Sequence, residues 1–222
     1  MKYYYTIDKD ARGQNNFIAS RSSHNIIVLD VPGSGYYPEE DSEMFADFIV
    51  KNRAMFLRKK VLEIGCGSGL LSILCARFGA DVLAIDINPE AVNATKENAI
   101  ANNVKLSAIQ SDIFAKVGAG ANSCFSSRNS HNNQVSPKVG YDIIIFNSPY
   151  LPDEDMLTKK SHSINYNKGD VIKRFLAQYK NYLGKNGRAY ILVSSITDEK
   201  IGGKIVMKKR IDWEELRIIE LG

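Results

Sequence analysis

Val61-Leu-Glu-Ile-Gly-Cys-Gly-Ser-Gly69 is the stretch that decides the fold. A short apolar strand runs into glycines spaced G-x-G-x-G, and an apolar helix follows from Leu70 to Phe78, where Gly79 stops it. Glycines permit a left-handed backbone and let a ligand approach the main chain closely. The start of the helix supplies unpaired N–H groups. Residues 82–85 read as the next strand and end at Asp86, where a carboxylate can accept both hydroxyls of a ribose. The dinucleotide fingerprint G-x-G-x-x-G needs a glycine at position 70, and this chain has Leu70. The pattern points to a nucleoside-bearing ligand and counts against a dinucleotide.

Outward from this motif the chain alternates strand and helix. On the N-terminal side, Ile26-Ile-Val-Leu29 reads as a strand and Pro32-Gly-Ser-Gly35 as a turn. Asp41 or Ser42 is the expected N-cap of a helix reaching about Arg58, with Met44, Phe45, Phe48, Ile49 and Met55 at helical spacing. On the C-terminal side, Pro89 suits the first turn of a helix ending near Ala101. Strands are expected at 106–109 and 141–146, the latter continuously apolar and so central. A helix over 170–183 ends at Gly184 and Gly187, a strand follows at 189–193, and two β-like runs close the chain at 204–211 and 216–221. The expected fold is α/β: a Rossmann-like, mostly parallel sheet with helices on both faces and an antiparallel C-terminal strand. Residues 1–35 read as an N-terminal extension and 36–222 as one domain. Residues 117–139 form a polar insertion rich in Gly, Ser and Asn, expected to be a flexible surface loop.

Composition narrows the class. The 222 residues are 44% hydrophobic and 24% charged, enough for a core that needs neither metal nor disulfide. No apolar run reaches the roughly 18 residues that span a bilayer, and residues 1–12 lack a signal-peptide core, so a cytoplasmic protein without membrane partners is expected. Cys66, Cys75 and Cys124 form no paired spacing, and His24, His131 and His162 are scattered, so no metal site is expected. The net charge is +4, and residues 157–222 alone carry 14 basic and 7 acidic side chains. That basic third reads either as a solvated face or as a docking surface for an acidic or RNA-bound partner.

Two further segments sharpen the reading. Asp112 follows the third strand and is placed to accept a proton from an adenine amino group. Ile145-Phe-Asn-Ser-Pro-Tyr-Leu151 ends the fourth strand and offers an amide-binding clamp. The run from Glu63 to Asp112 resembles the class I S-adenosylmethionine-dependent methyltransferases. Tyr36-Tyr-Pro-Glu-Glu-Asp-Ser42 resembles the Tyr-x-Pro-x-Glu-Asp-Ser/Thr segment of the archaeal and eukaryotic release-factor glutamine methyltransferases, relatives of bacterial HemK. Asn147-Ser-Pro-Tyr150 resembles their Asn-Pro-Pro-Tyr signature, and Trp213-Glu-Glu-Leu-Arg-Ile-Ile is similar to the closing strand of the archaeal members.

The resemblance implies S-adenosylmethionine as cofactor, held by Ser42, Glu63, Gly65, Asp86 and Asp112, with Ile113 beside the adenine. Cys66, Gly67, Gly69, Ile87 and Asn147 complete the expected cofactor contacts. Asn147, Ser148, Pro149 and Tyr150 are the expected catalytic clamp. The resemblance also implies the glutamine of a class I release factor as substrate and a small zinc-binding activator as partner. A glutamine amide nitrogen has a delocalised lone pair and two N–H donors. Asn147 Oδ1 and the carbonyl of residue 148 can accept one each, with Tyr150 as a wall against the flat amide.

The chain departs from the family pattern in three places. Ser148 stands where the signature has proline, which removes a rigid ring and predicts a less preorganised clamp. Only Asn165-Tyr-Asn-Lys-Gly169 stands where a Trp-x-Gly-Gly stretch is usual. The connection into 204–211 is short for a helical crossover, which needs at least 10–12 residues, so the usual helix there is expected to be missing or that sheet edge to be built differently. The same clamp geometry suits any planar amine, so a nucleic-acid amino methyltransferase acting on adenine N6 or guanine N2 is the alternative reading. A cofactor-binding scaffold without catalysis is a third.

Overall fold

The computed structural model describes residues 1–7, 25–33, 37–118, 140–149, 168–197 and 200–222. Tyr36, Tyr150, residues 119–139 of the polar insertion, 165–167, Cys124 and all three histidines lie outside the described residues. The described strands are β1 (Lys2–Thr6), β2 (Ile26–Asp30), β3 (Lys60–Ile64), β4 (Asp81–Asp86), β5 (Ser107–Gln110), β6 (Tyr141–Asn147), β7 (Leu183–Ser194), β8 (Lys204–Ile211) and β9 (Glu214–Leu221). The helices are α1 (Glu40–Lys51), α2 (Leu70–Arg77), α3 (Pro89–Ala101) and α4 (Lys168–Gln178).

Seven strands form one sheet in the order β5-β4-β3-β6-β7-β9-β8. β3 pairs in parallel with β4 and β6, and β9 runs antiparallel between β7 and β8. β6 is central because both of its faces are apolar. Ile143 and Ile145 pack with α1 and α2 on one side, and Ile144 and Phe146 pack with Phe175 of α4 on the other. The sheet order reverses between β3 and β6, and the ends of those strands open the crevice where such sheets bind ligands. Ile64 pairs with Phe146, which sets the glycine loop beside Asn147.

A two-stranded hairpin of β1 and β2 lies outside this sheet. It is tied to the domain by amide groups. Asn98 accepts from the backbone N–H of Asp30 at 2.8 Å and donates to its carbonyl at 3.0 Å; Asn102 does the same for Val28 at 3.0 and 2.7 Å. Four residues of helix rise and two residues of strand rise are both roughly 6–7 Å, so the two asparagines meet alternate residues of β2.

Several boundaries differ from the sequence reading. Helix α1 is preceded by Glu39, whose side chain makes no cap bond, so neither Asp41 nor Ser42 is the N-cap. It ends at Lys51 and gives way to a 3₁₀ turn, Arg53–Phe56. Gly184 and Gly187 are not helix stops but lie inside β7. A Cβ on Gly187 would stand 2.6 Å from the carbonyl oxygen of Tyr141, and one on Gly140 would stand 2.5 Å from Gly184 Cα. These glycines let β6 and β7 touch at a register shift between Tyr141 and Ile143. β1 was not anticipated: its buried Tyr3 and Tyr5 alternate with exposed Lys2 and Tyr4.

Among the described residues of 195–203 there is no helix. Ile201 packs on the sheet instead, and Gly203, with φ of 139°, passes so close that a Cβ would lie 2.5 Å from the Glu220 carbonyl oxygen. No described helix is long and apolar enough to cross a membrane.

Candidate active site

The glycine loop is shaped by backbone angles. Gly65, Gly67 and Gly69 have φ of 70°, 53° and 89°, in the left-handed region that side chains disfavour. Their surroundings divide them. A Cβ on Gly67 would meet nothing within 4 Å, and one on Gly65 would meet only the Phe146 ring at 3.9 Å. The loop is therefore open on that side. A Cβ on Gly69 would press on Thr95 of α3 at 3.0 Å, so Gly69 serves close packing of loop on helix. Cys66 is buried with its sulfur 3.3 Å from Thr95 Oγ1, and burial pushes its thiol well up, which leaves it inert. Thr95 also donates to the Gly67 carbonyl at 3.1 Å.

Asp86 closes the loop from β4. Its Oδ2 accepts from Gly67 N–H and its Oδ1 from Asn88 N–H, both at 2.9 Å. Burial raises its pKa, and these N–H donors oppose the rise. Each oxygen keeps a lone pair for a further donor. Glu63, 2% exposed at the end of β3, accepts a hydrogen bond from Ser72 of α2. Burial pushes its carboxyl up to about 8, against the lowering effect of the Ser72 bonds. Ile87 is half-buried, and its carbonyl accepts from Gln110 at 3.0 Å.

Asp112 does not stand alone after β5. Its Oδ2 lies 2.7 Å from Arg174 Nη2 of α4, and Arg174 also reaches Asp170 at 3.8 Å. The pair engages one carboxylate oxygen of Asp112, and a carboxylate has acceptor sites on both of its oxygens. Ile113 takes a left-handed φ of 45° and buries its side chain in the core beneath α4, while its carbonyl accepts from Ser111 Oγ at 2.9 Å.

The other half of the site is the end of β6. Asn147 Nδ2 donates to Asp41 Oδ2 at 3.1 Å and to Ser42 Oγ at 3.2 Å. Asn147 Oδ1 is buried and has no hydrogen-bond partner among the described residues. A secluded acceptor without a donor costs about 1–3 kcal/mol, which marks a place built for a donor that arrives with a ligand. Ser148 is buried, and its hydroxyl donates to the Leu192 carbonyl of β7 at 2.6 Å. The expected loss of rigidity at Ser148 is thus offset, because a side-chain bond to the neighbouring strand holds the residue that a proline ring would have stiffened. Pro149 is half-buried at the strand end. Asp41, Ser72, Thr95 and Arg174 are the site residues that sequence reasoning missed. Asp41 reads from sequence as a helix cap and as part of the Tyr36–Ser42 segment, neither of which assigns it a contact, and the others carry no local signal.

The family model for ribosomal protein L11 methyltransferase (PrmA) matches residues 49–147, from α1 to the end of β6. A Methanocaldococcus jannaschii protein designated a candidate protein N5-glutamine methyltransferase is 36% identical over 209 residues, covering 87% of this chain and 94% of that protein. The chain belongs to the class I S-adenosylmethionine-dependent methyltransferases. A release factor glutamine methyltransferase of Lactococcus lactis is 30% identical to this methyltransferase over 167 residues, covering 66% of the chain and 54% of that protein. The fold of the methyltransferase is shared with two solved structures. One is the ribosomal protein L11 methylase of Lactobacillus delbrueckii subsp. bulgaricus, at a TM-score of 0.56 and 21% identity over 86% of this chain and 82% of that one. The other is the T. thermophilus 16S rRNA N2 G1207 methyltransferase, at 0.58 and 15% over 99% of this chain and 50% of that one. Among the described residues no group of three His, Cys, Asp or Glu side chains is gathered to hold a metal.

Proposed function

We propose that this methyltransferase transfers a methyl group to the side-chain amide nitrogen of a glutamine in a peptide chain release factor. The observation that carries the reading is the orientation of the Asn147 carboxamide: its N–H end is engaged by Asp41 and Ser42, and its oxygen is a buried acceptor with no donor among the described residues. A glutamine –NH₂ supplies that donor. The two curated relatives, whose names specify glutamine as the methylated residue, support the same choice.

The residues fit S-adenosylmethionine. The open side of Gly65 and Gly67 leaves room against the backbone, and the spare lone pairs of Asp86 suit the ribose hydroxyls. Asp112 keeps an oxygen for the adenine amino group. The cofactor, when bound, supplies an electrophilic methyl on a sulfonium centre. The protein's own residues do the rest by holding the acceptor. Asn147 Oδ1 takes one amide N–H and the Ser148 carbonyl the other, which fixes the plane of the amide and presents its nitrogen. Placement of this kind can supply a large part of a barrier through prepaid orientation, with reacting atoms brought to about 3–3.5 Å. No strong base is needed while the amide nitrogen is attacking. Tyr150 is proposed as the wall of the acceptor pocket.

The reading places the reaction in the cytoplasm and includes a small zinc-binding activator as partner. The test is methyl transfer from labelled cofactor to a purified release factor, to tRNA and to DNA side by side, each with and without that activator. Label on a release-factor glutamine supports the proposal. Label on an adenine N6 or guanine N2 alone would replace it with the nucleic-acid reading.

A further inference from the structure

We infer that Asp41 is the positioning residue that decides which end of the Asn147 carboxamide meets the substrate. The inference rests on Asn147 as the amide-binding residue and adds what fixes its orientation. The two ends of a carboxamide are nearly the same size and opposite in hydrogen-bonding sense. Turned by 180°, Asn147 would present N–H donors to a substrate that itself offers only N–H donors at its amide nitrogen, and the clamp would repel its substrate.

The choice is made from the far side. Asp41 is 6% exposed, and its carboxylate can only accept. Its Oδ2 takes the Asn147 N–H end at 3.1 Å, and its Oδ1 takes the backbone N–H of Ser42 at 2.6 Å. The second bond locks the carboxylate to the first turn of α1, where the helix dipole favours an anion. Ser42 Oγ, 3.2 Å from Asn147 Nδ2, completes a two-acceptor seat. A flipped carboxamide would set oxygen against a buried carboxylate and forfeit a charge-assisted bond, which biases the orientation by roughly 10–100-fold.

The seat is itself braced. Tyr5 donates to Asp47 at 2.7 Å and Tyr3 to Glu43 at 3.2 Å, so β1 holds α1 through its first and second turns. A contact between residues 106 apart in sequence thereby links the N-terminal hairpin to the acceptor site.

The experiment compares the full-length wild type with Asp41→Ala and Asp41→Asn. The readouts are kcat, cofactor Kd by calorimetry, and the Asn147 side-chain NH₂ cross-peaks in a ¹⁵N–¹H spectrum, assigned with Asn147→Ala. D41A is expected to lower kcat about 10–100-fold, the bias set by one charge-assisted bond. Its cofactor Kd should stay within about threefold, and the Asn147 NH₂ signals should move toward those of a free amide. D41N keeps one acceptor oxygen and should recover part of the rate; it is the variant to read should D41A not fold. Wild-type kcat in D41A, or unmoved Asn147 NH₂ signals in either variant, overturns the inference. The spectral readout needs no acceptor substrate. If Asn147→Ala itself turns over normally, the clamp reading fails independently of what the spectrum says about Asp41.

Discussion

Replacing Glu63 with glutamine should change how stability depends on pH more than it changes stability itself. Glu63 is buried in β3, and its carboxyl is displaced from the ordinary value near 4.3 to about 8. The folded protein therefore keeps a proton that the unfolded chain has released. Stability from this group is complete below about pH 4 and is lost as pH rises toward about 8. At about 1.4 kcal/mol per pH unit, the full displacement corresponds to roughly 5 kcal/mol. Glutamine preserves the shape and the acceptor for Ser72 but cannot ionise. Urea denaturation at pH 5, 6, 7 and 8 should find the two proteins within about 1 kcal/mol at pH 5 and several kcal/mol apart at pH 8, with the variant more stable. Burial raises Asp86 as well, so a shallower fall of the same sign remains in both proteins. Parallel pH profiles for wild type and E63Q would refute the assignment of a protonated carboxyl at this position.

Two other expectations concern the site. Asp86→Ala should weaken S-adenosylmethionine binding by about 2–3 kcal/mol, since a charged acceptor is lost, and unchanged affinity in calorimetry would remove Asp86 from the cofactor's contacts. Ser148→Ala should cost about 1 kcal/mol in unfolding free energy by removing the side-chain bond to the Leu192 carbonyl, with a drop in methyl-transfer rate as the end of β6 loosens. A variant as stable and as active as wild type would show that the hydroxyl adds nothing to the clamp.

What was legible in the sequence was local. The glycine spacing and the carboxylate at Asp86 announce a loop and a strand end within twenty-odd residues, and the apolar runs of β3 and β6 announce a buried parallel sheet. The antiparallel C-terminal pair was readable from its two β-like runs, and the shortness of the connection into β8 from chain length alone. What escaped depends on contacts between distant residues. Asp41 and Asn147 are 106 positions apart, and Asn98 and Asp30 are 68 apart, so no window of sequence contains either pair. Gly184 and Gly187 carry the helix-stop signal and serve another purpose, because a glycine that permits a turn also permits two strands to touch. Asp112 was legible as a strand-end carboxylate, but its partner Arg174 lies on α4, beyond the insertion.

The central claim is that Asn147 Oδ1 is the acceptor that holds the substrate amide. The direct measurement is the rate of glutamine methylation by Asn147→Ala against wild type, with release factor and cofactor saturating and the modified residue located by mass spectrometry. Loss of one preorganised hydrogen-bonding group predicts a fall of about 10²–10³ in turnover. Turnover equal to wild type at the same glutamine would contradict the account.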